Sequence, residues 1–249
     1  MATTPRTSAA GHTLPGSKLR RVTEHIQAHL DQDLTLAHLG AVVYMSPYHF
    51  ARRFQHSTGL PPHRFVVRER IDRAVMLLAA PALSIAHISQ VVGFCTPSHF
   101  STVFRRITGV TPSAYRAAYL VVHDSAAAED IAQEAFLAAV RALDRFDRRR
   151  PFGPWLHRIA VNRAIDWARA SKLRAEAEER EVPAPSAPET DERMLPALAS
   201  LDPEQRAVIV LRYLLEYTPG EIADLLDLPR GTVNSRLRRG LDKLKERLE

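Results

Sequence analysis

Apolar residues recur at spacings of three and four along nearly the whole of this 249-residue chain, and Pro and Gly fall at segment ends rather than inside alternating runs. That period is helical, so the expected fold class is all-α. Between 126 and 143, Ala128, Ile131, Ala132, Ala135, Phe136, Ala139, Val140 and Leu143 form one long apolar stripe. Glu129, Asp130, Gln133, Glu134, Leu137 and Arg141 take the other face. A second stripe, Tyr115, Ala118, Tyr119 and Val122, follows Thr111 and Pro112, a capping residue and a Pro suited to the first helical position. A third, Val233, Leu237, Leu241, Leu244 and Leu248, follows Pro229 and leaves Arg230, Thr232, Asn234, Ser235, Arg238 and Arg239 facing outward.

The helical pattern of the first half is repeated. Residues 34–65 lie over 83–115 at a period of roughly 50 residues, with one residue inserted in the second copy. Val42-Val43 matches Val91-Val92, His49-Phe50 matches His99-Phe100, Phe54 matches Phe104, and Thr58-Gly59 matches Thr108-Gly109. Each copy reads as a short helix, a tight turn, and a second helix opened by Ser46-Pro47 or Thr96-Pro97, a helix-turn-helix layout. The Phe pairs four apart turn inward, which leaves Tyr48, His49, Arg52 and Arg53, and Ser98, Ser101, Thr102, Arg105 and Arg106, on the polar and basic outer faces. Such a face suits a DNA major groove. The stretch 61–80 between the copies reads as one continuous helix, a spacer that would hold two readers about one duplex turn apart.

Past residue 143 an Arg-rich loop, with Arg148 and Arg149, runs into a helix carrying Trp155, Arg158 and Asn162 along one side. Aromatic and Arg side chains on one face can stack single-stranded bases and neutralise their backbone. By residue type alone, core packing is the commoner fate of such a Trp. Residues 175–195 are rich in Glu, Ala and Pro with little to bury, and read as a linker. After it, Asp202-Pro203 and Thr218-Pro219 are both capping-box starts of a further helix-turn-helix unit.

Charge sharpens the picture. Lys and Arg number 34 against 28 Asp and Glu, a net charge of +6, which favours polyanionic partners. The single Cys95 permits no internal disulfide, and no run approaches the length of a bilayer span or the apolar core of a signal sequence, so a cytoplasmic location is expected. His25 and His29, four apart, lack a third ligand signal and read as surface histidines. No catalytic, metal or cofactor site is expected.

The residues VVGFCTPSHFSTVFRRITGVTPSAYR, with the repeat around them, closely resemble the DNA-binding domain of AraC/XylS-family transcription regulators over residues 18–116. The 17 residues before it are too few for the sensory domain usual in that family, and no inducer site is implied. Cys95 has no partnered His or Glu, so the alkyl transfer of Ada-type relatives is not expected. The stretches AEDIAQEAFLAAVRALDRFDRRRPFGPWLHRIAVNRAIDWAR and LDPEQRAVIVLRYLLEYTPGEIADLLDLPRGTVNSRLRRGLDKLKERL resemble regions two and four of extracytoplasmic-function sigma factors. Region two would occupy 117–174, truncated at its start, and region four, winged-helix-like, 196–249.

This resemblance implies that Glu129, Asp130, Gln133, Glu134 and Leu137 dock on the beta-prime clamp helices of core RNA polymerase. The loop 144–151 with Trp155, Arg158 and Asn162 would open and read the minus-ten strand, and Arg230, Thr232, Asn234, Ser235, Arg238 and Arg239 would enter the major groove at the minus-thirty-five element. The implied partners are promoter DNA and core polymerase, with an anti-sigma factor admitted as a third and no membrane. Two departures stand out. Asp227 replaces the usual Gly of the last turn, which Asp can still make. The helix usually found ahead of residue 115 is missing, so helix 112–122 is claimed by both halves and the seam should be stiff. The alternative is an AraC-type regulator that contacts polymerase without sigma activity.

Overall fold

The computed structural model describes residues 13–147, 149, 151–177 and 193–248. No strand occurs among them. The helices are α1 (Gly16–Ala28), α2 (Leu36–Val42), α3 (Pro47–Thr58), α4 (Pro62–Leu78), α5 (Ile85–Val91), α6 (Pro97–Thr108), α7 (Pro112–Val122), α8 (Ser125–Arg141), α9 (Phe152–Ala177), α10 (Met194–Ala199), α11 (Pro203–Ile209), α12 (Pro219–Leu226) and α13 (Arg230–Leu248). A π-helical segment, Val210–Leu214, extends α11. The chain divides into two compact units, Met1–Ala74 with Ser89–Thr96, and Val75–Ile88 with Pro97–Glu249, so α4 and α5 each begin in one unit and end in the other.

In the first unit Val22, Ile26, Leu39, Val43, Phe50 and Phe54 build the core, the two Phe wholly buried with ring centroids 5.3 Å apart. Burying a side chain of this size contributes roughly 2 kcal/mol. Gly40 allows α2 to approach the next turn, since a Cβ there would lie 2.8 Å from the Met45 carbonyl.

The repeat is visible in the backbone. Tyr44 and its counterpart Gly93 both have positive φ, 56° and 79°. Thr58 and Thr108 each donate their hydroxyl to the carbonyl four residues back and bond the residue two ahead, closing α3 and α6 alike over a left-handed Gly59 or Gly109.

In the second unit α7 is the central helix. The Thr111 side chain caps it by accepting from the Ala114 N–H, and His123 ends it in the left-handed region. The sequence predicts one apolar stripe, but every residue of α7 except Ser113 is buried. A helix apolar on all sides is packed on all sides. It packs on α8 and α9 through Ala114, Ala135, Ala139, Leu156 and Ala160, none more than 2% exposed. Phe104 of α6 meets Tyr115 edge-on at 6.1 Å, and buried Arg116 donates Nε–H to the Leu78 carbonyl at the end of α4. The small residues of α8 let the helices approach closely.

Further stripe residues behave differently from the pattern. Val140 and Leu143 are 52% and 44% exposed, because α8 ends at Arg141 and its last turn passes beyond the cover of its neighbours. Leu241 is 40% exposed, and its place in the α13 seam is taken by Gly240, which lies against Ile209. Thr218 and Glu221 form the full capping box, and Asp227 adopts the left-handed turn at φ 56°. Asp202 makes no cap hydrogen bond, since its carboxylate is held by Lys172 and Lys243.

Candidate nucleic-acid and polymerase interfaces

Helix α3 presents Tyr48, His49 and Arg52 to solvent, with Arg53 half-buried. Ser46 does not cap this helix, because its hydroxyl lies 3.1 Å from His49 Nδ1 and fixes that ring instead. His25 is half-buried. Its Nε2 is buried without a partner, and its ring lies 4.2 Å from His29 and 5.0 Å from His38. Among the described residues no group is placed to hold a metal ion.

Helix α6 exposes Ser98, Thr102, Arg105 and Arg106, with Ser101 half-buried. Arg105 is already engaged, its guanidinium 4.9 Å from the centre of the Phe136 ring on α8. Such a contact contributes about 0.5–1 kcal/mol at an exposed site.

On α8, Glu129, Asp130, Gln133 and Glu134 are exposed around Leu137, which is 52% exposed. Val140, equally open, enlarges this apolar spot inside an acidic surface. Glu134 also pairs with Arg163 of α9. Trp155 is half-buried among Phe146 and Phe152, with centroids 4.7 and 5.6 Å away, while Arg158 is exposed and Asn162 half-buried. Arg149 is exposed and donates its backbone N–H to the Asp147 carboxylate, whereas Arg148 lies outside the described residues. On α13, Arg230, Asn234, Arg238 and Arg239 are exposed, and Thr232 and Ser235 half-buried.

Polar contacts tie the helices of the second unit together. Arg169 on α9 pairs with Glu204 on α11, and Asp202 bridges Lys172 to Lys243 at 3.1 and 3.2 Å, which holds its pKa below the usual carboxylate value. Buried His157 of α9 lies 2.9 Å from the Tyr217 hydroxyl and 3.1 Å from that of Ser113. A neutral imidazole satisfies both, accepting at one nitrogen and donating at the other.

Burial lowers the His157 pKa to about 4, and burial with the nearby Arg206 lowers that of His123 to about 3. Both rings are ordinary once exposed. The unfolded chain therefore binds these protons near pH 6.5 and the folded chain does not, so stability is complete above 6.5 and lost as pH falls towards 4. His157 alone sets a loss of up to about 3 kcal/mol. Thermal melts between pH 7.5 and 4.5 should show a steep fall that His157→Gln flattens. An unchanged slope in that variant would remove the ring from this role.

The chain matches the family models for a helix-turn-helix domain over residues 39–118, sigma-70 region 2 over 107–174, and sigma-70 region 4 over 197–246. The ECF RNA polymerase sigma factor SigW of Bacillus subtilis is 37% identical over 153 residues, covering 54% of this chain and 82% of that protein. The chain belongs to the extracytoplasmic-function sigma factors. It carries, in addition, a helix-turn-helix domain similar to that of the regulatory protein PocR of Salmonella typhimurium, 38% identical over 45% of this chain and 39% of that protein. This sigma factor thus spans about two fifths of that regulator's length. A solved DNA-binding domain of AdpA in complex with a target DNA is 34% identical, covering 41% of this chain and 92% of that one, with a TM-score of 0.40.

The helix-turn-helix and region 2 matches of the sigma factor overlap over residues 107–118, the end of α6 and most of α7. Arg116, His157, Arg206 and Tyr217, which join its parts, went unnoticed in the sequence. The signal available was positional: Arg116 interrupts an otherwise apolar run, and Arg206 stands at the head of one. No helix among the described residues is long and apolar enough to cross a membrane.

Proposed function

We propose that this protein directs core RNA polymerase to promoters as a sigma-type initiation factor, and that its AraC-type module supplies a second address on DNA. The observation that carries the reading is α7, buried on all sides by elements of both modules, so that the added module completes the fold of region 2. In this reading the acidic surface around Leu137 and Val140 docks on the clamp helices of polymerase, Arg149, Arg158 and Asn162 face the minus-ten strand, and the exposed Arg and Asn residues of α13 enter the major groove at the minus-thirty-five element.

The two promoter elements lie about 25 base pairs apart, or about 85 Å at 3.4 Å per pair. Helices α9 and α11 touch through Arg169 and Glu204, so these contacts part when both elements are engaged.

Run-off transcription with core polymerase tests the proposal. The full chain should support synthesis, and Glu129→Lys with Asp130→Lys should reduce retention on core polymerase at least tenfold while the melting temperature holds. These two are chosen over Glu134, whose reversal would also break the pair with Arg163. Retention unchanged in the double variant would place the docking surface elsewhere. One observation favours a second reading, a regulator without sigma activity: Trp155 is packed between two Phe rings rather than open to a base. Binding to DNA and polymerase with no synthesis from any template would establish it.

A further inference from the structure

Resting on the sigma reading, we propose that α6 and the minus-ten helix α9 belong to one rigid body, so that the chain reads upstream duplex DNA only at a single fixed spacing from the minus-ten element. Only Gly109, Val110 and Thr111 separate α6 from α7, and none of the three is slack. Val110 is wholly buried, Thr111 caps α7, and Gly109 lies in the left-handed turn closed by Thr108, where an added Cβ would meet Gln133 of α8 at 3.9 Å.

Contacts on both sides lock the junction. Arg105 covers Phe136, Phe104 meets Tyr115, and Arg116 ties α7 to the Leu78 carbonyl. Helix α7 passes the constraint on to α9 through Ala114, Leu156 and Ala160, on the α9 side away from Arg158. Ser98, Thr102 and Arg106 remain exposed on α6 for base edges and phosphates, while Arg105 serves the joint.

The consequence for DNA is geometric. Moving an upstream site by 5 base pairs turns it to the far side of the duplex, and moving it by 10 restores the face but displaces it by about 34 Å. A flexible tether long enough to follow would recover at 10. A three-residue connection spans at most about 10 Å even when extended, so this one would not.

Two measurements decide the matter. In the first, holoenzyme assembled from the full chain selects from templates that carry a fixed promoter and a randomised upstream duplex. Selected bases should fall at one spacing from the minus-ten element, and shifting them by 5 or by 10 base pairs should lower run-off at least tenfold. Selection without a preferred spacing, or recovery at 10, overturns the proposal. The second needs no transcription: spin labels at Ile107→Cys on α6 and Ala170→Cys on α9, in a Cys95→Ser chain, should give one narrow distance distribution that the randomised duplex does not alter. A broad distribution, or one that shifts on adding DNA, overturns the rigid body whatever the run-off shows. Absence of synthesis from every template counts against the sigma reading, and the label distances then decide the rigid joint by themselves.

Discussion

A chain beginning at residue 112 should fail to fold cooperatively, although it contains all of α7 to α13. The reason lies in what surrounds α7. Phe104, Val110 and Leu78, each wholly buried, are removed by the truncation, and Phe104 and the Leu78 carbonyl contact α7 directly. At about 1.5–3 kcal/mol for each buried side chain of this kind, the lost cover is on the order of 5 kcal/mol, within the range of a whole domain's stability. The truncation also leaves the Arg116 guanidinium without its carbonyl, on a helix with no polar face to turn towards water. Circular dichroism should show residual helix without a sharp melting transition, and a dye specific for exposed apolar surface should bind. A cooperative melt within a few degrees of the full chain would show that region 2 is complete without the preceding module.

How much of this was legible in the sequence depends on which interactions are local. Caps, turns and the period of three and four are set by neighbours within a few residues, so the helices, the repeat, the Thr218 capping box and the left-handed Asp227 could be read directly. Burial at helix ends is not local. Val140 continues the apolar period of α8 yet lies open, because exposure there depends on where the packed helices stop. The same reasoning applies to α7: its period reads as one apolar stripe, whereas its burial on every side depends on partners distant in the chain that the sequence does not name. Most of the charged candidate reading residues, among them Arg52, Arg106, Arg158, Arg230 and Arg238, were legible as exposed because charge on the face opposite an apolar stripe must be solvated, whereas Arg53 is half-buried. That Arg105 would spend its charge on Phe136 was not, since the two lie 31 residues apart in the chain, on different helices (136 less 105).

Arg206 should prove the most sensitive single side chain in the second unit. It is 8% exposed and has no carboxylate in a hydrogen bond, yet its guanidinium donates to the carbonyls of Leu198, Ala199 and Leu201 at 2.8, 2.6 and 2.9 Å, and also to that of Val121. The first two lie in the last turn of α10 and the last in the final turn of α7, where a helix leaves carbonyls without partners and its dipole is negative. One cation therefore closes two helix ends. Burial lowers its pKa to about 10, so it stays charged at neutral pH, and its charge helps keep His123 neutral. Replacement by Met would leave the carbonyls of Val121, Ala199 and Leu201 without this donor, while that of Leu198 keeps the Leu201 N–H, and a loss of about 3–5 kcal/mol is expected. Lys should recover less than half of that, because a single ammonium cannot reach carbonyls spread over two helices. Urea unfolding of the full chain at pH 7.5 measures both losses. Removal of the neighbouring charge should also raise the pKa of His123 from about 3 towards its ordinary value, observable by proton resonance of the imidazole in the Met variant. If Arg206→Met unfolded at the parent's urea midpoint with the His123 titration unmoved, neither the double cap nor its coupling to the histidine would stand.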